Sequence, residues 1–224
     1  MGWSKKKTTS ILTFMLLFSL TFALLSISLM VYNLRKREEN NQYWQSFTYI
    51  LATTFGTGLG CIWFRICQAK KISSHALIHS ISLVCMFFGH REIFDLLLDG
   101  EIAKCYNMYP ISMLTIAIYV MQFILTFHFI LFRHGKTPRQ RAFNSGLHAF
   151  IGAITLFVCI TDGLVVCHKI SRDENLQDSI TFHWAAICLF FYGMTVWFLI
   201  LNPYFDWRRL SHMLQRRSSK VSFS

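Results

Sequence analysis

Two histidines, His75 and His148, are the residues of this 224-residue chain best placed for chemistry. Each lies a few residues inside an apolar stretch that follows a basic segment, so both are predicted at similar depths in neighbouring helices. Intramembrane histidines are costly and usually functional. Neutral imidazoles on facing helices can bind haem iron from both sides, but they can also hydrogen-bond between helices as packing contacts. The two residues alone leave both interpretations open.

Two further side chains accompany this pair. His79 follows His75 by four residues, which places both on one helical face, and we predict that it supports the site rather than binding metal. Asp162 lies in the outer third of the apolar stretch that also carries His148. A carboxylate there is by default a functional hypothesis, although a protonated or water-facing side chain explains it equally well.

The elements that position these residues are apolar helices. Hydrophobic residues make up 54% of the chain and charged residues 15%, which is less charge than a soluble domain carries. We therefore predict an all-α integral membrane protein with six transmembrane helices in one domain, residues 11–209, flanked by tails at 1–10 and 210–224. About 20 apolar residues cross a bilayer as a helix, and the six segments are residues 11–32, 44–64, 75–98, 108–132, 143–167 and 180–201.

The basic residues predict the topology. With the N-terminus in the cytoplasm, 15 of the 22 Lys and Arg residues fall on the cytoplasmic side, as the positive-inside rule requires. Both termini of this multi-pass protein are thus predicted to be cytoplasmic. The net charge of +11 reflects topology and does not indicate nucleic-acid binding, and it does not distinguish an endomembrane from the plasma membrane.

The cysteines do not indicate a metal centre. Seven are present without a C-x-x-C pair, so neither zinc nor an iron–sulfur cluster is predicted. Cys105 and Cys167 are both expected near the non-cytoplasmic face, where a disulfide could join them.

Six short stretches together resemble the cytochrome b561 family across residues 45–209. Residues 75–79 resemble the family's His-x-x-x-His at the start of span three, and residues 146–152 resemble its Pro-x-His-x-x-x-Gly in span five. Each stretch is weak alone, but their order, spacing and side of the membrane are specific. The six stretches are residues 58–65, 70–79, 88–95, 107–109 with Gln122, 146–152 and 202–209.

The resemblance implies a haem-binding bundle formed by spans two to five. The family holds two b-type haems, one near the cytoplasm and one near the outer face. The inner ligands match His75 and His148, whereas the positions of the outer ligands hold Gln45 and Ser112. Neither residue is a credible haem ligand, so one haem b is expected.

The family also implies an activity, that of transmembrane ascorbate-dependent oxidoreductases. Its members transfer electrons from cytoplasmic ascorbate to monodehydroascorbate or ferric iron, and they are homodimers. By this resemblance Arg65, Lys70 and Lys71 are expected to bind ascorbate, and Asn107 and Tyr109 to contribute on the outer side. Loss of the outer haem predicts impaired or one-sided electron transfer.

A second interpretation comes from a different class of protein. The chain could be a non-catalytic multi-span membrane protein, serving in transport or as a scaffold, that has lost redox activity. The paired histidines would then only pack helices together. Asp162, Gln45 and Ser112 would line a polar cavity.

Overall fold

The computed structural model describes residues 5–35, 41–67, 72–131, 138–172 and 176–201. These residues are almost entirely helical and include no strand, which confirms the all-α fold class. The helices are α1 (Lys5–Arg35), α2 (Asn41–Ile50), a π-helical segment (Leu51–Gly56), α3 (Thr57–Cys67), α4 (Ile72–Gly89), α5 (Arg91–Leu98), α6 (Ile102–Met108), α7 (Pro110–Leu131), α8 (Pro138–Arg172) and α9 (Leu176–Leu201).

Within the described residues, four helical segments are long and apolar enough to cross a membrane. They correspond to predicted spans one, four, five and six, and they are Ser10–Tyr32, Pro110–His128, Leu147–Arg172 and Ile180–Leu201. Their outward faces carry large apolar side chains such as Phe14, Leu17 and Ile124, each about three-fifths exposed. This surface fits a lipid bilayer and a multi-pass protein. The count of six spans and the side of each terminus remain predictions.

Predicted spans two and three are less regular than the other four. Helices α2 and α3 follow each other through the π-helical segment, so residues 41–67 form one helical run. Helix α4 is apolar over Ser74–Gly89 and ends at Gly89, and α5 begins at Arg91. The predicted third segment, residues 75–98, is therefore two helices that meet at a turn.

The π-helical segment is joined by side-chain hydrogen bonds to two neighbouring helices. The Tyr192 hydroxyl of α9 donates to the backbone carbonyl of Phe55 over 3.3 Å, and the Thr54 hydroxyl donates to the Cys159 carbonyl of α8 over 3.1 Å. A π turn breaks the regular i→i−4 ladder. These bonds join the irregular backbone to α8 and α9 at a depth where unpaired polar groups are costly.

Helix α8 is the centre of the packing. It packs against α7 and α9, and the run of α2, the π-helical segment and α3 also contacts it. Helix α1 packs on α9, and α4 packs on α2 and α3. Tyr49, Leu156 and Leu189 are fully buried where these helices meet, so the core lies along α8.

Gly89 marks the closest approach of α4 to α2. A Cβ atom at this position would lie 2.5 Å from the Tyr49 nitrogen and 2.8 Å from the Gln45 carbonyl oxygen. Both atoms belong to the backbone, so no rotation of a side chain can relieve the contact. Only glycine allows the two helices to touch here.

The thiols of Cys105 and Cys167 are buried and free, so the structure contains no disulfide between them. The Cys105 sulfur lies 3.9 Å from the Ile93 carbonyl. Burial raises the pKa of the Cys105 thiol, which lowers the thiolate fraction that oxidation requires.

We predict that Gly89→Ala destabilises the protein, because α4 must move away from α2. Overpacking typically costs about 1–3 kcal/mol, and a clash with backbone belongs at the upper end of that range. The measurement is the thermal midpoint of the purified protein in detergent. Phe88→Ala is the control, because Phe88 is 73% exposed and its removal leaves the helix contact intact. Equal midpoints for Gly89→Ala and the parent protein would contradict the prediction.

Candidate functional site

His75 and His148 face each other across a cavity of about 250 Å³, hereafter the His75–His148 cavity. His75 lies in the first turn of α4 and is 6% exposed, and His148 lies on α8. Their ring centres are 6.1 Å apart and their planes are perpendicular. Tyr119, Gln122 and Gly152 contribute to the lining, so the histidines converge on an apolar space with few polar groups.

A backbone contact orients His75. Its Nδ1 lies 2.9 Å from the carbonyl oxygen of Gly60 on α3. A carbonyl only accepts, so Nδ1 carries the proton and Nε2 carries the lone pair. This is the tautomer that binds a metal through Nε2, and a hydrogen bond from the other ring nitrogen is the usual support of such a ligand.

Gln122 of α7 orients His148. The amide nitrogen of Gln122 lies 2.8 Å from Nδ1 of His148 and 3.3 Å from its backbone oxygen. The amide oxygen of Gln122 is buried, and no partner for it lies within the described residues. In this orientation Nδ1 of His148 accepts a hydrogen bond. Turning the amide by half a rotation would let its oxygen accept an Nδ1 proton, as at His75, and would give up the bond to the His148 backbone oxygen.

His79 lies next to His75 on α4. Their rings are 4.4 Å apart, and Nδ1 of His79 lies 2.9 Å from the Tyr119 hydroxyl. A Cβ atom at Gly60 would lie 2.6 Å from Nε2 of His79. The glycine therefore leaves room on α3 for the His79 ring of α4. His79 thus contacts the pair through His75, and its predicted supporting role stays a prediction.

The geometry of the pair fits two axial ligands of one iron. Two imidazoles that bind an ion from opposite sides through bonds of about 2 Å have ring centres about 6 Å apart. Separation alone is not decisive, since His168 and His183 are 6.3 Å apart. Those two side chains are exposed, whereas His75 and His148 line a cavity and are oriented by Gly60 and Gln122.

The residues predicted to bind ascorbate are only partly described. Arg65 lies in the last turns of α3, but its side chain lies outside the described residues, as do Lys70 and Lys71 entirely. Arg65 follows Gly60 by five residues, which is about 7.5 Å along the helix axis. Its backbone is therefore near the end of α3 that supports His75.

The two positions at which the family resemblance places outer haem ligands are Gln45 and Ser112, and these side chains make other contacts. Ser112 donates to a carboxylate oxygen of Asp162 over 2.7 Å, and the Tyr49 hydroxyl donates to the other oxygen. Gln45, one turn before Tyr49, lines a second cavity of about 180 Å³. This second cavity, hereafter the His90 cavity, is also lined by His90, Glu92, Tyr109, Ser112 and Lys169.

The outer-side residues predicted from the family differ in their positions. Tyr109 lines the His90 cavity and donates to Glu92 over 2.6 Å. Asn107 is exposed at the end of α6 and is absent from that lining. In the part of the chain that the structure describes, no group of three or more His, Cys, Asp or Glu side chains could hold a metal ion. Axial binding of haem, by contrast, needs only two imidazoles.

Sequence reasoning missed the importance of Tyr49 and His90. The ring centre of His90 is 4.3 Å from that of Tyr49. Spacing along the chain gives no signal for this contact, because α2 and α4 meet through Gly89. The one signal in the sequence was that Tyr49 follows Gln45 by one helical turn, which places both on the same face of the helix.

Comparison with known proteins gives no assignment: no known protein family matches this chain, and no curated protein matches it. Function must therefore be argued from the two sites.

We predict that Tyr49→Phe destabilises the protein by about 1–3 kcal/mol, because it removes one of the two hydroxyl donors to a buried carboxyl group. The measurement is the free energy of unfolding in mixed detergent micelles. Tyr106→Phe is the matched control, because Tyr106 is 64% exposed. An unchanged stability for Tyr49→Phe would mean that the bond to Asp162 contributes nothing.

Proposed function

We propose that this protein carries single electrons through one haem b held by His75 and His148. The observation that supports this function is the pair of imidazoles, one buried and one half-buried, that line one cavity with ring centres 6.1 Å apart. Its pairing agrees with the resemblance to the cytochrome b561 family. The hydrogen bond from His75 to Gly60 and the contact of His148 with Gln122 are further support.

A haem b with two histidine ligands supplies a one-electron couple without an open coordination position. The chain's own residues would orient and shield it. Gly60 and Gln122 hold the two imidazoles in fixed directions, and Phe123, Phe127 and Ala153 contribute apolar lining.

The proposal includes six spans with both termini in the cytoplasm. The helical run over residues 41–67 would be span two, and α4 would be span three. Spans two to five then surround the His75–His148 cavity, which lies toward the cytoplasmic side. The excess of Lys and Arg on that side supports this orientation.

Ascorbate on the cytoplasmic side is the proposed donor. Arg65, Lys70 and Lys71 would attract its negative charge beside the end of α4 that carries His75. The acceptor would be monodehydroascorbate or a ferric chelate. Because Ser112 is bonded to Asp162 and Gln45 lines a polar cavity, neither would be a ligand of a second haem, and transfer would be one-sided.

The alternative function is that of a non-catalytic transport or scaffold protein. One observation favours it: the His90 cavity is polar and lies beside Asp162, Ser112 and Gln45. In that case the contact of His148 with Gln122 serves packing alone. The presence or absence of haem separates the two functions.

We predict about one haem per chain in protein made with haem available, with the reduced absorption spectrum of a low-spin b-type cytochrome. His75→Ala and His148→Ala should each abolish this spectrum, since each removes an axial ligand. The measurement is the dithionite-reduced minus oxidised spectrum with quantified haem.

His183→Ala is the control for this experiment. It removes one ring of the exposed histidine pair, so the spectrum should stay unchanged. Haem-free but folded parent protein would reject the redox function and favour the alternative. Two haems per chain would show that Gln45 and Ser112 do not mark a lost site.

We also predict that replacing both Lys70 and Lys71 by Ala slows haem reduction by ascorbate several-fold, because an anionic donor loses its electrostatic attraction. Reduction by excess dithionite should still go to completion, and the difference should shrink at high salt. Stopped-flow absorbance measures the rate. Lys104→Ala on α6 is the control, and equal slowing by it would argue against a specific donor site.

A further inference from the structure

We propose that Asp162 is a proton-binding site inside the bundle that exchanges protons with the surrounding solution through the His90 cavity. Asp162 follows His148 by fourteen residues on α8, about 21 Å along the helix axis. The two sites are thus separate. The proposal goes beyond electron transfer and does not depend on haem.

The first argument is the burial of the carboxyl group. Asp162 is fully buried, and its two oxygens accept hydrogen bonds from the hydroxyls of Tyr49 and Ser112. Both donors are uncharged. Among the described residues, no lysine or arginine forms an ion pair with Asp162. An ionised carboxylate without a counter-charge is costly to bury, and binding a proton removes that cost.

The second argument is a route of protonatable groups. His90 lies in the turn between α4 and α5, with its ring 4.3 Å from Tyr49 and 5.4 Å from Tyr109. Its Nε2 is buried and lacks a hydrogen-bond partner within the described chain. Tyr109 in turn donates to Glu92 at the cavity edge. The ring of His90, packed against Tyr49 and Tyr109, thus lies between the cavity edge at Glu92 and the hydroxyl that binds Asp162.

The surroundings of Asp162 hold few other charges. From α2 the facing titratable group is Tyr49, and from α8 these are Cys159 and Lys169. Helix α7 presents Ser112 and Thr115, which do not titrate. The Lys169 ammonium donates to the Met108 carbonyl over 2.9 Å and lies over the ring of Tyr109. It therefore contributes a positive charge at the cavity rather than an ion pair.

A proton fits this site better than a metal cation. Hard cations require about six oxygen ligands with their lone pairs directed at the ion. Tyr49 and Ser112 instead direct hydrogens at the carboxyl group. A proton needs only one carboxyl oxygen, and the second oxygen can keep its hydroxyl donor.

The test is infrared difference spectroscopy of the full chain in lipid nanodiscs over a range of pH. We expect a carboxylic-acid C=O band that grows as the pH falls. The band should shift when aspartate is labelled with ¹³C, and it should be missing in Asp162→Asn. Asp95→Asn, which changes an exposed carboxylate, is the control and should retain the band. The labelled parent protein gives the answer even if Asp162→Asn does not fold.

Three outcomes would overturn the proposal. One is that no aspartate band appears at any pH at which the protein is folded. Another is a band that neither changes with pH nor shifts in D₂O, which would mean a permanently trapped proton. The third is loss of the band on adding sodium or lithium at constant pH, which would indicate a cation site. Because the experiment reads a carboxyl group, its result is independent of whether haem binds.

The route has its own measurement. His90→Gln removes the protonatable ring from the cavity, and we expect hydrogen–deuterium exchange of the Asp162 carboxyl to slow by tenfold or more. His183→Gln is the matched control and should exchange at the parent rate. An unchanged rate in His90→Gln would overturn the assignment of His90 to the route.

Discussion

The contact of α4 with α2 at Gly89 is the constraint on which both sites depend. Backbone touches backbone there, with no room for a Cβ atom. On α2 this contact holds Tyr49 against Asp162, and at the end of α4 it holds His90 against Tyr49. The same helix, α4, carries His75 at its other end, where Gly60 of α3 accepts a hydrogen bond from the ring. A shift of α4 would thus disturb the two sites together.

Helix α8 connects two sites of different chemistry. At one end His148 offers an imidazole to an apolar cavity, which suits a ligand of iron. Fourteen residues later Asp162 accepts two hydroxyl donors, which suits a proton. Leu156, which lies between them on the helix, is fully buried. If both proposals hold, one helix carries the electron-transfer site at His148 and the proton-binding site at Asp162.

The sequence by itself determined the helical class and much of the helix placement. Apolar runs of about 20 residues form helices in lipid because every backbone group must be satisfied within the segment, and four such segments are present. The prediction of similar depths for His75 and His148 rested on local pattern, through their distance from basic segments, and both side chains line one cavity. The break in the third apolar segment was visible at Gly89, since glycine and charged residues interrupt the run.

Only the tertiary structure decided which side chains meet. The contact of His90 with Tyr49 and the donors to Asp162 depend on which helices pack side by side and at what angle, which local sequence does not encode. The π-helical segment likewise requires Tyr192 from a distant helix. Asp162 shows most clearly the difference between what the sequence determines and what the tertiary structure decides. Its place inside an apolar segment was evident from the sequence, but its hydrogen bonds exist because α2 and α7 both pack against α8.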